Sequence, residues 1–327
     1  MKSKLTVKLL ITFLALIMAT SVFIPGCDEG PAEPPDASSA GDLSATLVPN
    51  VPLDIYAYAE QDSPTVMPAE MIGTPENIAI ESLAIWGMPA GNDFVLGMGI
   101  SLESAIDAAE IFSQITLDED GWKKLSDRTI YVVQGNETAA APMKTAIENN
   151  DFKQYDDAEA ISAIAALPDS GTLKRAATGM AKPSAELIGF LTEDNDTEAT
   201  GMANTILKLV RLKIVAAGLY SPKPIDIAHT IEVVDNGGDI TELDIGVLVL
   251  VKSGLPGLLV KPAVEKLLEK AEFTETVIGG ITVYKGYMEN NGSGATSVLV
   301  RIEGNSIFAA IAGQESYAET LIMNISS

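Results

Sequence analysis

Thr129–Ile147 reads TIYVVQGNETAAAPMKTAI, and Ser306–Ile325 reads SIFAAIAGQESYAETLIMNI. Each begins with a short apolar run of strand type, passes a glycine and then places apolar residues at helical spacing. That pattern predicts a strand followed by a helix. Ile130 and Tyr131 align with Ile307 and Phe308. With one inserted residue, Glu137 aligns with Glu315, and Ala139, Met143 and Ile147 align with Tyr317, Leu321 and Ile325. A strand–helix unit repeated so far apart in the chain points to duplicated domains rather than a solenoid.

The segments around each copy extend the parallel. In the first half, Ile55, Ala57 and Ala59 alternate with Tyr56, Tyr58 and Glu60, which predicts a strand. Gln61–Thr74 reads as loop. Ile80–Met88 and Phe94–Ile100 flank the turn signal Pro89–Asp93 and form a hairpin. On its second strand Phe94, Leu96, Met98 and Ile100 share one face. Gly97 and Gly99 occupy the other, where another element can approach closely. Ser101 suits the N-cap of a helix carrying Leu102, Ala105, Ile106, Ala109 and Phe112.

In the second half, Lys182–Asp194 echoes the first strand, its Lys182-Pro183 standing for Val51-Pro52. A long helix is predicted over Thr197–Leu219, with Met202, Ile206, Leu209, Val210, Ile214 and Ala217 on one face. His229–Asp235 and Leu243–Lys252 flank Asn236-Gly237-Gly238-Asp239 as a hairpin. A helix over Pro262–Ala271, strands at Gly280–Met288, Ser297–Ile302 and Ser306–Ala312, and a helix over Gln314–Ile325 complete the set. Between the halves, Ala158–Leu167 is apolar enough for a helix, and DSGTLKRAATG reads equally as strand or loop.

The fold class expected is α+β, with two duplicated modules, each an antiparallel sheet with helices packed on one face. The expected divisions are a signal peptide at 1–26, a disordered tether at 27–49, modules at 50–150 and 182–327, and a connector at 151–181. The alternative is a single mixed domain whose elements happen to recur.

The first 27 residues set the address. Lys2, Lys4 and Lys8 precede the apolar run Leu9–Ile24, and Pro25-Gly26 ends it just before Cys27, the only cysteine of the chain. A basic start, an apolar core and a small residue at the exit describe an export signal. A lone cysteine forms no internal disulfide, so its place at the signal exit asks for another explanation. Ile24-Pro25-Gly26-Cys27 resembles the lipobox of bacterial lipoproteins, although Pro25 stands where a small or hydroxyl side chain is usual. The resemblance implies a diacylglyceryl group on the Cys27 sulfur, cleavage before Cys27, and a membrane-anchored protein on the extracytoplasmic side of the cell envelope. An uncleaved anchor and plain secretion are the other readings. Asp28–Asp42, DEGPAEPPDASSAGD, is a polar, proline-rich tether that cannot bury a core. In its order of elements, the remainder resembles duplicated α+β proteins of the bacterial envelope.

Composition excludes several functions. The chain holds 21 basic and 45 acidic residues, a net charge of −24. Its only arginines are Arg128, Arg175, Arg211 and Arg301. Nucleic-acid binding needs a basic footprint that this balance does not supply. His229 is the only histidine, so a serine triad and a histidine–cysteine zinc site have too few members. No phosphate-binding or dinucleotide fingerprint occurs, and no cofactor is implied. Asp118–Asp120 and Asp194–Glu198 lack the spacing of a calcium loop and read as solvated turns.

One stretch remains unusual. Gly254–Val260, GLPGLLV, is an apolar, glycine-punctuated loop between a strand and a helix. Leu255, Leu258, Leu259 and Val260 are therefore the candidate residues for an apolar ligand or partner, the other reading being a buried crossing. Two functions follow: a lipid-anchored, non-enzymatic protein that binds a partner or serves structurally, or a carrier of an apolar small molecule. The carrier's mouth would lie between the 197–219 helix and the Leu255–Val260 loop.

Overall fold

Leu212–Ser221 reads LKIVAAGLYS and Gly246–Ser253 reads GVLVLVKS, and successive side chains on a strand point to opposite faces. Both faces of these strands are apolar, so each face needs a covering layer. The computed structural model describes residues 47–59, 65–67, 78–91, 93–102, 123–168, 171–184, 211–223, 244–289 and 295–325.

The strands in chain order are β1 (Leu47–Pro49), β2 (Ile55–Ala59), β3 (Thr65–Met67), β4 (Ile78–Ala90), β5 (Asp93–Leu102), β6 (Lys123–Lys124), β7 (Thr129–Gln134) and β8 (Phe152–Gln154). They continue as β9 (Lys174–Ala181), β10 (Leu212–Ser221), β11 (Gly246–Ser253), β12 (Thr274–Ile278), β13 (Ile281–Glu289), β14 (Ala295–Glu303) and β15 (Ser306–Ala312). The helices are α1 (Glu137–Glu148), α2 (Ala158–Ala165), α3 (Gly257–Lys270) and α4 (Glu315–Met323). The result is a mixed fold of helices and strands dominated by antiparallel sheet.

Thirteen of the described strands form one sheet, ordered β12-β13-β14-β15-β11-β10-β9-β2-β4-β5-β7-β6, with β3 added to β4. β1 and β8 make a separate ribbon. The halves meet where β2 pairs with β9, Ala57 opposite Gly179. A row of ladder partners crosses that seam: Trp86, Tyr56, Met180, Ala216, Leu250 and Phe308. All six belong to one buried cluster with Met143 and Ile147 of α1, Ala160 and Ala163 of α2, and Leu321 and Ile322 of α4. Gly97 continues the row opposite Trp86, and the space above its Cα holds the Met143 sulfur.

The expectation of helices on one face only is corrected by α3. Its Val260, Val264 and Leu268 pack on Val298, Val300 and Ile311, whereas Leu299, between two of those residues, faces the other cluster. β14 and β15, apolar on both faces, account for this second layer.

Other expectations also change. The helix predicted over 197–219 gives way to β10 from Leu212 onward. A strand buried on both faces is a continuous apolar run, and Ile214 and Ala217 mimic helical spacing within it. Ser101, expected as an N-cap, lies within β5, and its hydroxyl shares a 3.0 Å hydrogen bond with that of Thr129; the helix expected beyond Leu102 lies outside the described residues. The strand expected to echo β2 over Lys182–Asp194 lies outside the described residues from 185 onward, and β2 pairs with β9, which ends just before Lys182, as well as with β4. The stretch 151–181, read as connector, carries β8, α2 and β9. β3 interrupts the loop expected over Gln61–Thr74, and β12 was not anticipated. The disordered tether expected over 27–49 ends sooner, since Leu47–Pro49 is strand β1; Cys27, the tether up to residue 46, residues 103–122, 185–210 and 224–243, both acidic clusters and His229 lie outside the described residues.

Candidate functional site

The strands of the sheet share two ends. Ile55 and Ala181 pair at one of them, as do Leu212 with Ser253, Lys252 with Ser306, and Glu303 with Ser306. This is called the lower end. The ladder of β13 on β14 carries the turn Gly279-Gly280 to the same end, because Tyr284 opposite Val300 sets the register.

The apolar stretch Gly254–Val260 is fastened there. Ser253 N donates to Asn305 O at 2.8 Å, and Asn305 Nδ2 donates back to Ser253 O at 3.3 Å. Gly254 N donates to Arg211 O at 2.7 Å, and the Ser253 hydroxyl accepts from Leu255 N at 3.0 Å. Gly257 must be small, since a Cβ on it would lie 3.0 Å from the Gly304 carbonyl carbon. The loop reading is therefore corrected. α3 begins at Gly257 and already includes Leu258, Leu259 and Val260. Pro262 drew the expected start too late, because proline favours the first helical position.

The four candidate residues divide into two pairs. Val260 is fully buried among Val264, Leu268, Val298, Val300 and Ile311, and Leu255 packs half-buried beside them. Leu258 and Leu259 stand in solvent, 91% and 56% exposed. Sequence reasoning missed three further exposed apolar side chains of the lower end. Val277, 66% exposed, precedes the Gly279-Gly280 turn, and Met323 lays its sulfur against Gly279. Ile161 projects from the first turns of α2, whose Glu159 and Ser162 reach Lys213 and Lys252. Nothing in the periodicity of these segments marks them as exposed.

Basic residues stand near Gly254 and the start of α3, Arg211 and Lys213 beside Gly254 and Lys261 within the helix. Lys213 bridges to Glu159 at 3.7 Å and Lys261 to Glu265 at 3.6 Å. Lys252 Nζ donates to the Ser162 hydroxyl at 3.3 Å. Arg211 is exposed with a left-handed backbone (φ 48°). Among the described residues, neither Arg211 nor Lys252 has a carboxylate partner.

A polar knot closes the same end beneath α2. Asp157 caps that helix by accepting from Ala160 N at 2.8 Å and pairs with Lys182. Burial pushes its carboxyl up, but the Lys182 ammonium and the backbone amides outweigh burial and hold it below the usual carboxylate value. The Tyr155 ring lies 4.8 Å from that of Tyr56, and its hydroxyl donates to the Met180 sulfur at 3.4 Å. Burial, then the neighbouring Asp157, Asp156 and Asp54, push the Tyr155 hydroxyl well above its usual value. A proton held that firmly suits structure more than acid–base chemistry.

Among the described residues, no group of three or more His, Cys, Asp or Glu side chains could hold a metal. No helix among them is long and apolar enough to cross a membrane. The mouth expected of a carrier is not built from the expected parts, since 212–219 is strand and Val260 fills the packing under α3. No family model, curated protein or solved structure matches the chain.

Proposed function

We propose that this is a lipid-anchored protein of the bacterial cell envelope, held on the extracytoplasmic side by acyl chains on Cys27 and serving a binding or structural role without catalysis. The observation that carries this reading is the run from Lys2 to Cys27, with its basic start, apolar core and single cysteine at the exit. The polar tether from Asp28 supports it, because such a segment holds a folded body off a membrane. Acylation at more than one position would make the attachment firm.

We further infer that the body is a tandem duplication joined at β2 and β9. The strand ladder supports this independently of the sequence echo. With Ala57 and Gly179 taken as equivalent, the ladder can be counted outward on both sides. One side passes β4 and β5 to β7, and the other passes β10 and β11 to β15. The count makes Ile130 and Tyr131 equivalent to Ile307 and Phe308. Those are the residues that the sequences TIYVVQ and SIFAAI align. The helices that follow start at Glu137 and Glu315, and both bury their fourth and seventh positions, Ala140 and Met143 against Ala318 and Leu321; Ile147 in α1 is matched by Ile325, buried just past the end of α4. On this reading the second unit begins at β9, ahead of the boundary drawn at Lys182.

Metabolic labelling with a clickable fatty acid tests the anchor. The wild-type chain is expected to label and Cys27→Ala to lose the label. An unlabelled wild type, or label that persists in Cys27→Ala, overturns the reading.

A further inference from the structure

We propose that the lower end of the second half docks on an anionic lipid bilayer. Leu258 and Leu259 enter the acyl region, and Arg211, Lys213, Lys252 and Lys261 meet the headgroups. The proposal rests on the lipid-anchor reading and names the surface that then faces the membrane.

Three observations carry it. The first is clustering. Of the six large apolar side chains exposed among the described residues, Ile161, Leu258, Leu259, Val277 and Met323 lie at the lower end, and Tyr287 alone lies towards the other. The second is charge. On a chain of net charge −24, four basic side chains, Arg211, Lys213, Lys252 and Lys261, come together at this end, with Glu159 and Glu265 bridged to two of them. Two of these cations have no carboxylate partner among the described residues, and the other two hold long, exposed bridges of 3.7 and 3.6 Å that can exchange for lipid phosphates. Basic heads on aliphatic stems beside bulky apolar residues form the usual composition of an interfacial surface.

The third is where the chain arrives. β1 pairs Pro49 with Phe152 and Leu47 with Gln154, and the residues after Gln154 lead to Asp157 at the lower end. Followed backwards, the chain therefore leaves the fold heading towards that end. From Cys27 to Leu47 the contour is at most about 70 Å, enough for the lower end to reach the bilayer that holds the lipid.

A protein partner fits less well. Stable protein interfaces bury about 800 Å² on each side and centre on aromatic anchors. The lower end offers two projecting leucines with no aromatic beside them among the exposed apolar residues. A second copy meeting it across a dyad would bring the same cations together.

The test uses the full-length acylated protein in vesicles of phosphatidylcholine, with or without phosphatidylglycerol. An environment-sensitive thiol fluorophore is placed through Leu258→Cys or, as a control on the far end of the same helix, Lys270→Cys. In phosphatidylglycerol vesicles the label at position 258 is expected to shift to the blue and to be quenched by brominated acyl chains. The label at position 270 should respond to neither. Neutral vesicles, or Leu259→Glu added to Leu258→Cys, should weaken the quenching roughly tenfold. Vesicle-bound protein whose label at 258 stays accessible to aqueous iodide overturns docking and leaves the anchor standing. A label shielded from iodide but untouched by bromolipid overturns docking in favour of a protein partner. A chain that fails to float with either vesicle overturns both readings.

Discussion

Gly179→Ala is expected to destabilise the protein by prying the two halves apart. A Cβ on Gly179 would lie 2.8 Å from Ala57 Cβ, 3.4 Å from Ala57 Cα and 3.4 Å from Tyr56 O. Aliphatic carbons in contact sit at about 3.5–4.0 Å, so the strands would have to separate by up to about 1 Å. The ladder offers little slack, because N–H···O bonds hold within about 2.7–3.2 Å. Ala57 Cβ is fixed to the backbone and cannot rotate away. Overpacking against a fixed backbone methyl belongs at the upper part of the usual range, about 2–3 kcal/mol, of which removing a flexible glycine returns roughly 0.5–1 kcal/mol, leaving about 1–2.5 kcal/mol. Ala57→Gly alone loses one buried methyl and adds chain freedom, also about 1–2 kcal/mol. Together the two exchange the methyl across the seam, so the double variant should be more stable than the sum of the single effects by about 1–2 kcal/mol. Urea unfolding followed by tryptophan fluorescence and far-ultraviolet circular dichroism gives all four stabilities. A Gly179→Ala protein within about 0.5 kcal/mol of wild type, or a cycle that is additive, refutes the packed seam.

Gly97→Ala should cost less than Gly179→Ala in the same assay, because the nearest obstruction to its Cβ is the flexible Met143 sulfur at 2.6 Å. Arg301 is 5% exposed and donates from Nη1 to the carbonyls of Ile322 and Ile325 at 3.2 and 3.3 Å, closing the end of α4. Arg301→Met is expected to cost about 3 kcal/mol by thermal unfolding, through unsatisfied helix carbonyls and an abandoned Glu303; a loss below about 1 kcal/mol contradicts the buried cap. Asp157→Ala removes the cap of α2 and should cost about 1–2 kcal/mol, with Asp157→Asn intermediate. The Asp157 carboxyl is held below its ordinary 3.8, so its stabilisation is present above that pH and fades as pH falls below it. A stability difference between wild type and Asp157→Asn that does not shrink on acidification below that value contradicts this assignment.

The legible parts of the fold were those with one apolar stripe or a plain turn. Thr129–Gln134, the helix from Glu137, the β14–β15 hairpin and the helix before Ile325 were all expected where they occur. The close approach allowed by Gly97 was legible too, and Met143 of α1 takes it. Periodicity failed where strands are buried on both faces, as at Leu212–Ser221, since an apolar run without alternation suits helix and strand alike. It failed again at β9, where KRAATGMA mixes small and polar residues and owes its place to partners on both edges. Of the site, the apolar Leu255–Val260 stretch could be singled out by composition alone. Which of its residues point outward depended on where α3 starts, and that depends on Gly257 resting against Gly304. The convergence of Ile161, Val277 and Met323 on the same end is a property of strand register, which no single segment encodes.

The continuity of the sheet through β2 and β9 sets the position of both halves and defines the lower end. Hydrogen exchange of the intact protein, resolved by peptide and followed through low urea, tests it most directly. Amides of 55–59 and 176–181 are expected among the slowest, opening with those of 214–220 and 247–251 in one cooperative step. Early exchange of 55–59 and 176–181, while 247–251 and 307–311 stay protected, would contradict a sheet shared by the two halves.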